Sequence, residues 1–324
     1  MTRPAVDRLV EVDSIRRAAE GLRGVAVRTP LLPSPWLAGE LDTDVRLKCE
    51  SFQPIGAFKL RGAYTMVARL SDEERARGVV TYSSGNHAQA VAFAARAFGI
   101  EAVIVMPENA PRIKVAGTKR LGAEVIERGT TSLARREKAE EVGAERGLTM
   151  IPPFDHPDII AGQGTVGLEI LEDWSEVRTI VVPIGGGGLI SGVAAWVKRE
   201  RPDIRVIGVE PEGAPAMRRS LDAGAIVTLD RIDSIADGLV PVRPGELTFA
   251  HTRALVDDVV LVTDDAMRRA AARLLVRGKL LVEYSGAATV AALRSGLVGG
   301  GPVAAVISGG NMDPSLIPDL LPFA

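Results

Sequence analysis

One rhythm constrains this chain more than any other feature. A short β-branched run, a turn and an Ala-rich amphipathic stretch follow one another through most of its 324 residues. GVVTYSS (78–84) precedes NHAQAVAFAARAFG (86–99), AVIVMP (102–107) precedes PRIKVAGTKRLG (111–122), and AEVIERG (123–129) precedes TSLARREKAEEVGAERG (131–147). The order recurs as TIVVPI (179–184) before LISGVAAWVKRER (189–201) and as RVIGVEP (205–211) before APAMRRSLDAG (214–224). Strands alternating with helices at this spacing predict an α/β fold with parallel sheets covered on both faces. Near-continuous apolar runs such as TIVVPI and VAAVIS (303–308) suit doubly buried strands. The length exceeds what one ordinary core organises, so one or two closely packed domains are expected. The helix from about Lys59 to Leu70 and the units spanning 78–147 are expected to form a small sheet of their own.

Composition removes several classes of function. A formal net charge of −2 gives no general attraction to nucleic acid or anionic membrane, and 4% aromatic residues offer few stacking platforms for bases. The Arg135-Arg136 and Arg218-Arg219 pairs are interleaved with acids and read as solvated helix faces. No run approaches the roughly 20 apolar residues of a membrane helix, and the N-terminus lacks the apolar segment of a secretory signal. The single cysteine, Cys49, excludes an internal disulfide and any cysteine cluster for a metal. A cytoplasmic protein is the default expectation.

Chemistry in open α/β sheets sits beyond the carboxyl ends of the strands, and four segments meet that condition. Gly185-Gly186-Gly187-Gly188 joins an apolar strand to a helix, where successive backbone N–H groups and the helix N-terminus can cradle a phosphate. No Lys-Ser or Lys-Thr follows, which excludes a nucleoside-triphosphate loop. A dinucleotide fingerprint fits poorly, because Ile190 occupies its last glycine position, although Glu210 imitates the acid that would hold a ribose. Ser83-Ser84-Gly85-Asn86-His87 gathers hydroxyls, an amide and free donors at a helix N-terminus, which suits a carboxylate or an ordinary N-cap. His87 has no second ligand at metal spacing and reads as structural. Lys59 lies among small and apolar neighbours in GAFKLRGA (56–63), where a lowered amine pKa becomes attainable. Ser308-Gly309-Gly310-Asn311 ends the last apolar strand with a hydroxyl that can reach a buried ligand or merely make a turn.

These segments, in this order, resemble the fold-type II pyridoxal-phosphate enzymes, and within them the threonine dehydratase and serine racemase branch. The resemblance runs from Arg28-Thr29-Pro30-Leu31 to Ser308-Gly309-Gly310-Asn311 and rests on FKLRGA, SSGNHAQ, AGQGT (161–165), GGGGL (185–189), ADG (236–238) and SGGN. It implies a two-domain architecture like the tryptophan synthase β chain. Residues 1–50 plus 150–324 would form a large domain holding the cofactor phosphate, and 51–149 a small, mobile domain taking the substrate carboxylate. It further implies that Lys59 carries the cofactor covalently, with Phe58 flanking the ring and Asn86 on the phenolic oxygen. Gly185 to Gly188 and the Leu189 amide would hold the phosphate, and Ser308 would meet the pyridine nitrogen. Ser83, Ser84, Gly85, Asn86 and His87 would bind the substrate carboxylate. The implied reaction is β-elimination of water from L-threonine or L-serine, with Lys59 taking the Cα proton, and the implied assembly is a homodimer. Ser84, on the face opposite Lys59, is the residue that racemases and hydroxyaspartate ammonia-lyases of the branch carry, so racemisation or a threo-3-hydroxyaspartate substrate are the alternatives. An oxidoreductase using NAD is the competing reading from another class.

The chain departs from the branch in places. Ile55-Gly56-Ala57 stands where Thr-Gly-Ser is usual, Tyr284 replaces a proline, and Phe154 lies where some racemases have asparagine. In relatives a glutamate, a carbonyl and an aspartate bind a divalent cation. Here Glu210 and the Ala214 carbonyl are the matching donors, but Ala216 replaces the aspartate, so a weak or absent cation site is expected. The sequence ends soon after SGGN, from which the regulatory domain of feedback-inhibited dehydratases is expected to be missing.

Overall fold

The computed structural model describes residues 9–323 apart from 84 and 111, so Ser84 lies outside the described residues. Among the described residues, ten strands build two sheets. The larger contains β1 (Leu31–Pro33), β2 (Val45–Cys49), β7 (Thr179–Pro183), β8 (Arg205–Pro211), β9 (Asp258–Val262) and β10 (Val303–Ile307), in the order β1-β2-β10-β7-β8-β9. The smaller contains β3 (Val79–Tyr82), β4 (Ala102–Met106), β5 (Glu124–Glu127) and β6 (Thr149–Met150), in the order β5-β4-β3-β6. Every pairing is parallel except β1 with β2. The alternating rhythm does not predict the antiparallel edge strand, since β1 and β2 flank only the short helix Pro35–Leu41.

The doubly buried strands behave as their sequences require. Successive side chains of a strand point to opposite faces, so an unbroken apolar run feeds two cores. In β10, Val303, Ala305 and Ile307 enter one core with β2 and the helices Asp264–Val276 and Tyr284–Arg294, whereas Ala304 and Val306 enter another with the helix Gly188–Glu200. In β4, Ala102, Ile104 and Met106 face the helices Lys59–Arg69 and Asn86–Phe98, and Val103 and Val105 face Ser132–Arg146.

Strand order brings two distant loops together. The last strand, β10, is inserted between β2 and β7 and runs parallel to both, so the loops after β7 and β10 leave the sheet at the same edge. The helix Pro157–Asp173 lies between the helices Lys59–Arg69 and Gly188–Glu200. Its AGQGT segment makes that contact close: a Cβ on Gly162 would sit 2.5 Å from the Arg61 carbonyl oxygen. Beside it, Arg61 donates to Glu50 Oε2 (2.8 Å) and to Glu169 Oε1 (2.7 Å), while Lys48 reaches Glu169 Oε2 at 2.6 Å. Two cations and two anions, all buried, thus tie the end of β2, the helix that starts at Lys59 and the bridging helix together.

Candidate active site

A cavity of about 280 Å³ opens between the two sheets. Phe58, Lys59, Ser83, Gly85, Asn86, His87, Gly185, Gly186, Gly187, Gly188, Leu189 and Ser308 all line it. The four segments singled out from sequence therefore converge on one space, which joins two sheet edges. Ser84 is the exception, lying outside the described residues.

Backbone pairing places Lys59. Ala57 bridges Gly309, the Phe58 N–H donates to the Ser308 carbonyl (3.0 Å) and the Gly310 N–H donates to the Gly56 carbonyl (2.9 Å). The segment before Lys59 is thereby bound to the loop after β10, and the lysine begins its helix beside Ser308. Its Nζ donates to the Pro153 carbonyl (2.6 Å) and lies 5.3 Å from the Phe58 ring centroid. Burial disfavours the ammonium and lowers the Lys59 pKa to about 8. A primary amine that sheds its proton near neutrality is what covalent capture of an aldehyde requires.

The glycine loop is shaped by its neighbours. Gly187 has φ +94°, a left-handed conformation that favours glycine, and a Cβ on Gly186 would run into the Phe154 ring. Thr248 Oγ1 donates to the Gly186 carbonyl at 2.6 Å. The helix Gly188–Glu200 starts here, and the first N–H groups of a helix have no partner within it. A held loop, a helix N-terminus and no acidic side chain within it make a fitting seat for a phosphate dianion. Phe154, noted in sequence only as a departure, is the reason position 186 admits no side chain.

The wall from the small sheet has another character. The His87 Nε2 faces the Ile151 carbonyl (3.1 Å), and burial, with the nearby Lys59 charge, lowers its pKa to about 3, so the ring is neutral. This agrees with its reading as structural, and it also lines the cavity. Lys114 joins the wall and pairs with Asp237 from the large-sheet side. Arg135 corrects an expectation. The sequence places it on a solvated helix face, yet it is buried; both it and the exposed Arg136 beside it line the cavity. Its Nη1 and Nη2 donate to Thr130 O and Ser132 Oγ, and among the described residues no acid pairs with it. Interleaved charge cannot show which residue of a helix turns inward at a cleft.

Two acidic residues decide further questions. Glu283 lines the cavity and accepts from Asn86 Nδ2 at 2.6 Å; sequence reasoning gave it no role. Glu210 and Ala214 lie outside the cavity lining. Both Glu210 oxygens accept backbone N–H groups, from Met217 and Arg218 at 2.8 Å each, at the start of the helix Ala216–Ala223. The Ala214 carbonyl already accepts from the Ala216 N–H (3.0 Å). Every donor of the expected cation site is engaged in capping this helix, and Ala216 supplies no carboxylate. These residues do not fit a hard divalent ion. The dinucleotide reading loses its ribose-binding acid on the same geometry.

Comparison with known proteins gives the family. Residues 22–309 match the family model described as pyridoxal-phosphate dependent enzyme, and the chain belongs to that family, with pyridoxal phosphate as its cofactor. Among its relatives, the L-threonine ammonia-lyase of Thermotoga maritima is 44% identical over 95% of this chain and 77% of its own length. The catabolic L-threonine dehydratase TdcB of Escherichia coli K12 is 41% identical over 97% of each. Maize serine racemase superposes with a TM-score of 0.92 at 41% identity, covering 96% of this chain and 97% of its own. The fold-type II architecture expected from sequence is thus the one this chain adopts. Lys59, the glycine loop and Ser308 suit the cofactor, since they offer a free amine, a phosphate cradle and a hydroxyl on one cavity wall.

Proposed function

We propose that this chain eliminates water from a small β-hydroxy amino acid, L-threonine or L-serine, to give the 2-oxo acid and ammonia. One observation carries the reading: Lys59, Phe58, Asn86, the Gly185–Gly188 loop and Ser308 line a single cavity. Relatives named L-threonine ammonia-lyase or dehydratase at 41–44% identity support it.

When bound, pyridoxal phosphate supplies an electron sink that acidifies the Cα proton and lets a β-substituent depart. The protein does the rest. Gly185 to Gly188 and the Leu189 amide would hold the phosphate, Asn86 would donate to the phenolic oxygen, and Ser308 would offer a hydroxyl, which does not keep a nitrogen protonated, to the ring nitrogen. The Lys59 amine would anchor the cofactor and serve as the base for the Cα proton, a role its pKa of about 8 suits. Ser83 to His87 hold the substrate carboxylate at the N-terminus of the helix Asn86–Phe98. Residues 51–149 act as a small, mobile domain closing on a large domain of 1–50 plus 150–324. A homodimer in the cytoplasm completes the proposal; no helix among the described residues is long and apolar enough to cross a membrane.

Arg135 favours a second reading beside the first. A buried guanidinium on the cavity wall, without an acid partner among the described residues, suits a second carboxylate at Cβ, as in threo-3-hydroxyaspartate. The serine at position 84, which the resemblance gives as the residue racemases of the branch carry, and the likeness to maize serine racemase favour some racemisation. The deciding experiment incubates the holoenzyme with L-threonine, L-serine, D-serine and L-threo-3-hydroxyaspartate, and measures 2-oxo acid, ammonia and enantiomer ratio. Fastest release from L-threonine or L-serine is expected. No 2-oxo acid from any of them, with cofactor bound, would refute the assignment.

A further inference from the structure

The Asn86 carboxamide is held in one sense by a chain of contacts whose polarity is anchored on the backbone. The Ile55 carbonyl can only accept, and Asn311 Nδ2 donates to it at 2.8 Å. The same Nδ2 donates to Asn86 Oδ1, also at 2.8 Å. Asn86 Oδ1 is thereby committed, and its Nδ2 faces Glu283 Oε1 at 2.6 Å. Reversing the amide would set two NH2 groups against each other. Two glycines make room for this chain. A Cβ on Gly56, whose φ is +70°, would strike the Asn311 carboxamide, and one on Gly309 would strike Glu283 Oε1 and lie 3.2 Å from Asn86 Nδ2.

Glu283 is not occupied elsewhere. It precedes the helix Tyr284–Arg294, but its side chain makes no capping bond. It is 4% exposed, and among the described residues its Oε2 has no hydrogen-bond partner. A buried carboxyl with one idle oxygen on a cavity wall is costly to keep unless it serves the site.

We propose that Glu283 is a positioning residue that, through Asn86, sets the hydrogen bond donated to the phenolic oxygen of the cofactor. The proposal rests on the reading of the cavity given above. One N–H of Asn86 Nδ2 is held by Glu283, which turns the other into the cavity. A charged acceptor makes the shorter, stronger bond, so the charge on Glu283 governs how firmly the amide is held. The groups facing this carboxyl are Asp237 on the loop before Gly238, Lys114 on the helix Arg112–Arg120, and Asn86, with Asp313 acting on Lys114. Burial and the Asp237 charge raise the Glu283 pKa to about 7, against the opposing pull of Lys114 and Asn86. Its charge therefore changes within the neutral range.

The test uses the full-length protein loaded with pyridoxal phosphate, reading the cofactor absorbance from pH 5 to 9 and the cofactor Kd. Glu283→Gln keeps an oxygen for Asn86 but cannot ionise. It is expected to bind cofactor more tightly than Glu283→Ala does, because it still offers Asn86 an acceptor, and to lose the absorbance change centred near neutrality. Glu283→Ala frees the amide and should weaken cofactor binding about tenfold. Combined with Asn86→Ala, it should add no further loss, since the two act as one unit. A wild-type absorbance titration in Glu283→Gln, or a wild-type Kd in Glu283→Ala, overturns the proposal. If Glu283→Ala proves unstable by circular dichroism, Glu283→Gln alone decides. Cofactor absorbance unchanged by Lys59→Ala would instead overturn the reading of the cavity, a result separable from either.

Discussion

The two walls of the cavity are made of different materials. On the large-sheet side, the glycine loop, Leu189 and Ser308 offer backbone and one hydroxyl, locked between Phe154, Thr248 and the neighbouring strand ends. On the small-sheet side, Ser83, Asn86, His87, Lys114 and Arg135 offer side chains, two of them cationic. A wall of backbone N–H groups suits one fixed anion that stays through every turnover. A wall of polar and charged side chains suits a carboxylate that enters and leaves, and it can change substrate by changing one residue. The phosphate seat is thus written in glycines, and the substrate seat in side chains.

The strongest attempt to break this contrast is Gly186→Val. Its side chain would meet the Phe154 ring, and overpacking of this kind typically costs about 1–3 kcal/mol. If the loop yields instead of the ring, cofactor Kd should rise roughly tenfold to a hundredfold, read by fluorescence titration, with little change in the fold. Cofactor binding at wild-type strength would show that the loop is not the phosphate seat.

Arg135→Ala probes the opposite wall. It should leave cofactor absorbance unchanged and lower kcat/KM for L-threo-3-hydroxyaspartate relative to L-threonine by about ten- to a hundredfold, the worth of a hydrogen bond to a charged group. Equal losses on both substrates would make Arg135 structural. Ser84→Ala should suppress racemisation by about a hundredfold, the scale of one general acid–base contribution, and affect elimination much less. Chiral chromatography alongside the 2-oxo-acid assay separates the two rates, and equal falls would assign Ser84 to carboxylate binding.

The smallest effect is expected from chelation. Exhaustive treatment with EDTA should move Tm by less than about 1 °C, because a binding site that is already filled by N–H donors has no ligand to lose. Magnesium or calcium restoring activity or Tm after chelation would mean that an acid other than Ala216's missing carboxylate completes a site with Glu210.

Much of the scaffold is legible in sequence because its rules are local. The Val/Ile runs of β4, β7 and β10 and the Ala-rich helices after them follow from burial on two faces and from helical period. Lys59, Asn86, the glycines and Ser308 are legible because each sits at a strand end or helix start. What sequence does not show depends on pairs distant along the chain. Asn86 with Glu283 is separated by 197 residues, and Lys114 with Asp237 by 123. Arg135 and Arg136 both reach the cleft, and only the packing around the helix makes Arg135 the buried one. The Asn311 and Asp237 positions lie inside the SGGN and ADG segments, so a signal was present there, without the partner that explains it. Glu210 was legible as a buried strand-end acid, but only the helix beside it reveals that its oxygens face N–H donors.

The central claim is that Lys59 bears the cofactor, and reductive trapping tests it directly. Borohydride applied to the holoenzyme should bleach the visible absorbance and leave a phosphopyridoxyl mass on the peptide containing Lys59. Capture of added pyridoxal phosphate by the apoprotein should also rise with pH through about 8, where the Lys59 amine loses its proton. A tag on any other lysine, or none on Lys59 while absorbance is lost, would contradict the account.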